Sequence, residues 1–534
     1  MPFYQSPGVY VEEPDKGARP IQPAGTSVLA LVGLVRETVN VLEPGAKAPV
    51  AKRPPDTPTL VTNWSQFTQI YGDTDQAYPG GYLHDAMYGY FLNGGSTAFV
   101  VGIPAPVVEE AAKPEVPLLP AGEGLLKAPD GNAVVKVTTT GPYDPGTPIT
   151  VEIQPPGEGA PPDTFNVVIR KGTAEPKTIT NVGTTKGKGV RNIVDVLPRE
   201  TDNLLAAQIL GAPAPLAIGQ STSLTAQAAA PAAKPESTPS PLKGKVTAAM
   251  FKGNINDRTG IAGLEAVEEV TMVACPDILA AYKAGAVSEE DVKAVQTFIL
   301  NHCELMRDRC AILDCPAGLS PQEAIAWRKE KMNFDSKYGG LYYPWIRING
   351  KLAPPSGHVA GVYARVDGER GVHKAPANEI VRGAVGLERV ITRGEQDLLN
   401  PIGVNCIRTF PGQGIRIWGA RTLSSDPLWR YINVRRLFCM VEESIQQNTN
   451  WIVFEPNDDI LWRQIRRDVT AFLTVIWRSG ALFGTTPEQA FFVKCDEETN
   501  PKEMRDLGYC ITEIGMSPVK PAEFVVFRVS QKAD

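Results

Sequence analysis

The tract Ala226–Leu242, which reads AQAAAPAAKPESTPSPL, limits how this chain can fold. Its Ala, Pro and Ser bury too little apolar surface to offset the entropy of ordering a chain, so it cannot fold alone. Ala, Pro, Gly and Lys likewise dominate residues 104–132. Between the two lie short alternating segments, Val134–Thr139, Ile149–Ile153 and Phe165–Ile169, separated by Gly/Pro turns. That is the pattern of a small β-rich module. The simplest organisation is an outer module at 104–250, inserted into a larger body and tethered by a linker at each end.

The body on either side alternates helix and strand signals. Val28-Leu29-Ala30-Leu31-Val32-Gly33 predicts a buried strand, followed by a helix near Tyr82–Leu92 and a strand at Ala98–Ile103. Beyond the insertion, Val270–Ala274 reads as a strand closed by Cys275-Pro276. Ser288 is placed to cap a helix with Asp291 at its third position, and Val292, Val295, Ile299 and Met306 share one stripe. Ala311–Leu313 is the next strand, closed by Cys315-Pro316. Ser320-Pro321-Gln322-Glu323 then forms a second capping box with Pro at the first helical position. Strand–helix–strand repeats of this kind predict a partly parallel sheet in an α/β (α+β), multidomain protein. Two long amphipathic helices are expected at Pro427–Gln447 and Asp458–Ser479, then a strand at Gln489–Lys494.

A chain of 534 residues is too long for one core, so three or more domains are expected. The expected divisions are an extended arm at 1–25, a core at 26–103 and 251–404, the insertion at 104–250, a C-terminal domain at 405–515 and a second arm at 516–534, of which composition marks only the first arm and the insertion.

The chemistry that remains is sparse. The net charge is -6 with a pI near 5.6 and no long basic run, which argues against a nucleic-acid partner. No window approaches the ~20 apolar residues of a membrane helix. The N-terminal Met1-Pro2-Phe3-Tyr4 does not open a secretory signal. The eight cysteines contain no Cys-x-x-Cys pair, as expected for reduced core residues of a cytoplasmic product. His302, Cys303, Cys310 and Cys315 cluster, but not at the spacing of paired zinc knuckles. No metal or cofactor is therefore expected.

Catalytic motifs fare no better. Gly183-Thr184-Thr185-Lys186-Gly187-Lys188-Gly189 is one residue short of a phosphate loop between its glycines and lacks the final Ser or Thr. Gly412-Gln413-Gly414 precedes a strand where a dinucleotide fingerprint needs a helix. It reads as a turn into a strand whose Arg416 and Arg421 make structural ion pairs. Ser356 could pair with His358 or His373 and Asp367 as a hydrolytic triad, but such proximity in sequence is common and does not establish geometry. The expectation is a protein that is not an enzyme, with an enzyme built on Ser356/His358 as the alternative.

The termini are more informative. Phe524-Val525-Val526-Phe527-Arg528-Val529 is too apolar on both faces to be left free, and an unpaired apolar strand is a liability unless it joins a sheet edge. Val9-Tyr10-Val11-Glu12, isolated by Pro7 and Pro14, cannot form a sheet with its sequence neighbours. Both suit strand addition to another chain. The alternative is that each pairs within its own subunit.

Five stretches in order carry a family resemblance: Ser6–Glu13; Gly340-Leu341-Tyr342-Tyr343-Pro344-Trp345; Pro354–Gly361 with Lys374–Asn378; Asn405–Phe410; and Ile417–Thr422. Through them the chain resembles the tail sheath proteins of contractile phages, pyocin-like particles and extracellular contractile injection systems, outside residues 104–250. The resemblance implies an α/β sheath core, a C-terminal domain facing an inner tube, and arms that add strands to neighbouring subunits. It implies a structural subunit assembled in the cytoplasm and released with its particle, whose partners are other copies of itself, the inner tube protein, and baseplate and terminal cap proteins. Nucleic acid and direct membrane insertion are not among them. For tube contact the candidates are Arg463, Arg466 and Arg467, beside Ile465, Val469 and Leu473; the earlier helix carries Arg430, Arg435 and Arg436. The later helix is preferred. A static shell protein is the remaining alternative.

Overall fold

The computed structural model describes residues 20–41, 49–106, 122–139, 149–157, 159–171, 176–185, 187, 189–201, 204–210, 213–226 and 246–526. They form two compact units, one of residues 1–108 and 239–534 and the other of 109–238.

A nine-stranded sheet organises the larger unit. In chain order its strands are β1 (Val28–Arg36), β2 (Thr59–Val61), β3 (Thr97–Ala105), β4 (Met272–Ala274), β5 (Cys310–Asp314), β6 (Gly339–Tyr343), β7 (Glu379–Ile380), β8 (Val404–Phe410) and β9 (Gly414–Ile417). In space they run β7-β9-β8-β6-β5-β4-β1-β3-β2. From β8 to β3 every neighbouring pair is parallel. β2, β9 and β7 add antiparallel edges. The interior of β1 is buried throughout, and all five residues of β5 and of β6 are buried. Parallel strands are covered on both faces by their crossover helices, which explains apolar runs instead of alternation. The sheet runs across residue 405, the expected start of the C-terminal domain, because β8 pairs with β6 from Leu341↔Val404 to Tyr343↔Cys406.

Helices pack on this sheet through α1 (Leu83–Asn93), α2 (Glu289–Met306) and α3 (Ser356–Arg370). The α2 capping box forms between Ser288 and Asp291, and a second forms between Ser320 and Glu323 with Pro321 at the first turn. Val292, Val295 and Ile299 are buried as their spacing predicts, while Met306 is half-buried. The α1–α3 crossing is close because of glycine. A Cβ on Gly361 would lie 2.5 Å from the Tyr90 carbonyl oxygen and 2.7 Å from Asn93 Cβ.

The smaller unit carries its own core beneath two sheets. One is five-stranded and includes Ile149–Gln154, Phe165–Lys171 and Lys177–Gly183; the other is four-stranded and includes Gly122–Lys127, Ala133–Thr139 and Leu205–Ile209. Val135, Val137, Val151, Ile153, Val167 and Ile169 from the two sheets meet in one apolar cluster, closed by Ile193 and Leu197 of a short helix.

Toward the C-terminus come α4 (Ile432–Asn448), α5 (Asp459–Arg478) and the antiparallel pair β10 (Phe491–Lys494) and β11 (Glu513–Met516). The first helix starts later than expected, because Pro427–Trp429 forms a separate 3₁₀ turn capped by Asp426. β10 is likewise preceded by a helical turn, Pro487–Ala490. Leu461, Trp462, Ile465, Val469, Phe472 and Leu473 of α5 meet Leu437, Met440 and Val441 of α4 in a separate core.

Candidate functional site

The roots of both expected arms are held by polar contacts. On the N-terminal side, Ile21 enters the α4–α5 core. The Ala24 amide donates to Ser444 Oγ at 2.8 Å, and Asn448 Nδ2 donates to the Gln22 carbonyl at 3.2 Å. The chain preceding β1 is thus tied along α4. Val9, Tyr10 and Val11 lie outside the described residues.

On the C-terminal side the chain leaves β11 and forms backbone hydrogen bonds from Ser517 to Ala490 and from Val519 to Ala481, at 2.8 and 3.1 Å. It then reaches Glu523. Arg421 grips that carboxylate with Nε at 2.9 Å and Nη2 at 2.6 Å, Asn400 Nδ2 donates at 2.6 Å and Tyr431 Oη at 3.1 Å. Burial alone would raise the Glu523 carboxyl, but the hydrogen bonds from Arg421 and Asn400 and the Arg421 charge outweigh it and hold it below the ordinary range. Immediately beyond, Phe524, Val525 and Val526 are 75%, 68% and 75% exposed and belong to no strand. Their expected strand character is therefore absent in the isolated chain, where no sheet edge accepts them. Phe527 and Val529 lie outside the described residues.

Near these roots, β10 and β11 have only each other as partners among the described residues. Each therefore has one edge with no strand partner among the described residues, and a lone two-stranded ribbon is marginal in water.

The arginines divide differently from their sequence pattern. Arg463 and Arg467 are exposed on α5, paired with Asp459 and Asp468. Arg466 is half-buried and donates to the Cys495 carbonyl at 2.7 Å, which commits it to the chain after β10. Sequence reasoning passed over Arg478, exposed on α5 together with Ile460 and Val475; the exposed spacing 460, 463, 467, 471, 475 and 478 was the available signal. Of the arginines expected on the earlier helix, Arg430 is exposed ahead of α4, while Arg435 and Arg436 are buried at 2% and 4% exposure. Arg435 stacks 4.5 Å over Trp429 and 4.8 Å over Tyr338. Of the two ion pairs expected at β9, Arg421 makes one with Glu523, whereas Arg416 donates instead to the Gln413 and Asn378 carbonyls.

The hydrolytic constellation does not come together. Ser356 and His358 are fully buried in the first turn of α3. The Ser356 amide donates to Asp314 at 2.9 Å, and both His358 ring nitrogens lack hydrogen-bond partners among the described residues. Asp367 lies eleven residues along the same helix, about 16 Å away at 1.5 Å per residue, and is engaged by Arg436. His302 faces Arg309 Nη1 at 3.3 Å, and among the described residues no group of three His, Cys, Asp or Glu is placed to hold a metal ion. The eight cysteines are free thiols. Gly183 ends a strand of the smaller unit, while Lys186 and Lys188 lie outside the described residues. No helix of the described residues is long and apolar enough to cross a membrane.

The motif residues have structural explanations instead. Asn405 of β8 clasps the backbone of Arg421 from both sides, accepting from its amide at 2.7 Å and donating to its carbonyl at 2.8 Å. Gly419 permits this, since a Cβ there would sit 2.8 Å from Asn405 Oδ1. Trp345 Nε1 donates to the Cys315 carbonyl at 2.6 Å, and Tyr342 and Tyr363 join hydroxyls in the core.

Comparison with known proteins agrees with this architecture. A family model described as the phage tail sheath protein central domain matches residues 258–423, and one described as the phage tail sheath C-terminal domain matches 424–532. Together they cover just over half the chain. The chain is 28% identical over 279 residues to the tail sheath protein of Vibrio phage KVP40, covering 50% of this chain and 40% of that protein. It is 26% identical over 282 residues to the tail sheath protein of Escherichia phage P2, covering 51% of this chain and 66% of that one. The matches therefore span only two-fifths to two-thirds of these relatives' lengths. In fold it resembles the helical sheath of the anti-feeding prophage in its contracted state, with a TM-score of 0.55 and 22% identity over 99% of this chain and 100% of that one. It also resembles the contracted sheath complex of the PVC extracellular contractile injection system, with a TM-score of 0.52 and 20% identity over 100% and 99% of the two chains.

Proposed function

This chain belongs to the phage tail sheath family, and we propose that it polymerises into a helical contractile cylinder around an inner tube and drives that tube through a target envelope. The observation that carries the proposal is the presence together of an exposed apolar segment, Phe524–Val526, and a C-terminal sheet that has only two strands among the described residues. Each is unfavourable in one subunit, and both are relieved when the arm of one copy adds a strand to the sheet of the next. Val9–Val11 is assigned the same role from the N-terminal side. Such backbone bonds net about 0.5–1.5 kcal/mol each, but a lattice of them stays connected while the globular parts rotate.

The α5 face of Arg463, Arg467 and Arg478, interrupted by Ile460 and Val475, is the surface we assign to the tube. Charge pairs at a rim set register and rate more than affinity, which suits a grip that must release. The subunit works without catalysis. Its energy lies in contacts better packed after contraction, and a few kcal/mol per subunit summed along a cylinder makes the change one-way. The cylinder starts on a baseplate and ends at a cap.

Negative-stain microscopy of the purified chain tests this. Long striated cylinders are expected, together with their loss, but a folded monomer, on deletion of 524–534. Uniform closed shells would favour a static coat, and small discrete oligomers would sink the sheath reading.

A further inference from the structure

We infer that Glu523 is a positioning residue: it fixes where the C-terminal arm leaves the subunit and passes the pull on that arm into the nine-stranded sheet. The inference rests on the arm reading above and goes beyond it, because it assigns the arm a root.

An ordinary surface ion pair contributes about 0–1 kcal/mol and holds nothing in place. This one differs in three respects. The Arg421 and Glu523 side chains are 10% and 18% exposed, so solvent screens them little. The guanidinium meets the carboxylate bidentately, through Nε to Oε1 and Nη2 to Oε2, which adds directional restraint. Asn400 and Tyr431 take up further lone pairs, so three separate side chains converge on one carboxylate.

Arg421 is itself fixed. Its backbone is bracketed by Asn405 of β8 and bridges to Tyr431, the residue that opens α4 and also holds Glu523. A continuous path of hydrogen bonds thus runs from Glu523 through Arg421 and Asn405 into the core sheet. The chain before Glu523 is bound at 517–519, and the next three residues are exposed. The last fixed point of the described chain is therefore Glu523. From it the apolar segment starts in one direction, which raises its effective concentration at a neighbouring sheet edge above that of a free tail.

The test compares monomer thermal melts with the lowest chain concentration that forms cylinders, for the full-length protein, Glu523→Ala, Glu523→Gln, the swap Arg421→Glu/Glu523→Arg, and a chain lacking 524–534. Glu523→Ala leaves the Arg421 charge without its partner, so it is expected to lower the monomer melting temperature and, at temperatures where the monomer is still fully folded, to need at least tenfold more chain to assemble. Glu523→Gln should fall between, and the swap should recover part of the loss. If Glu523→Ala assembles at the parent concentration while the truncation does not, the arm stands and the positioning role is overturned. It is equally overturned if the assembly defects of Ala and Gln simply follow falling melting temperatures. If the truncated chain assembles normally, the arm reading itself fails.

Discussion

Arg436 and Asp367 form a bidentate ion pair at 2.5 and 2.9 Å, with both side chains 3% exposed, and this joins α4 to the last turn of α3. Arg436 Nη2 also donates to the Thr26 carbonyl at 2.9 Å, and its guanidinium lies 4.8 Å over the Tyr363 ring. The pair therefore sits where the N-terminal segment enters β1. It holds the sheet, the α4–α5 core and the root of the first arm together.

Removing one partner strands a buried charge. Asp367→Ala is expected to cost about 3–5 kcal/mol in urea unfolding of the monomer. The double variant Asp367→Asn/Arg436→Gln should lose less than the two single variants combined, and strict additivity would mean that the pair is not coupled.

His358 provides a pH handle. Burial lowers it to about 4, so between pH 6.5 and 4 the unfolded chain binds a proton that the folded chain refuses. Its contribution is present above pH 6.5 and is lost as pH falls toward 4, reaching about 3 kcal/mol at 1.36 kcal/mol per unit. Asp277 and Asp314, pushed up to about 7 by burial, act in the opposite sense over the same range. The histidine is therefore read by difference. His358→Leu should lose less stability than the parent between pH 7 and 4.5, and parallel pH profiles would refute the assignment.

The α1–α3 crossing tolerates no added atom. Gly361→Ala places a methyl against the Tyr90 carbonyl and should destabilise the monomer by about 1–3 kcal/mol through overpacking. Gly368→Ala, on the same helix with open space beyond it, should be neutral or slightly stabilising by helix propensity. Equal melting temperatures for the two would remove the packing argument.

Charge reversal separates the arginines of α5. Arg463→Glu with Arg478→Glu, both exposed on α5, should leave monomer stability within about 1 kcal/mol while reducing the fraction of tube-filled cylinders. Arg466→Glu should instead lower the melting temperature, because a carboxylate would face the Cys495 carbonyl. Tube filling insensitive to the first pair at low salt would exclude this face as the tube contact.

The sequence by itself determined what short-range physics controls. The capping boxes at Ser288–Asp291 and Ser320–Glu323 close within four residues, and the apolar runs of β1 and β5 announce a sheet covered on both faces. The tail's apolar character was equally plain. Its anchoring was not, since Glu523 meets Arg421 across 102 positions and Arg436 meets Asp367 across 69. Nothing in the local pattern distinguishes the buried Arg435 and Arg436 from the exposed Arg463 and Arg467, because all four lie on amphipathic helices. Only the tertiary structure decided which charges are buried and paired and which stay in water. The free energy of a charge depends on the groups the fold brings to it, and sequence distance carries no record of them.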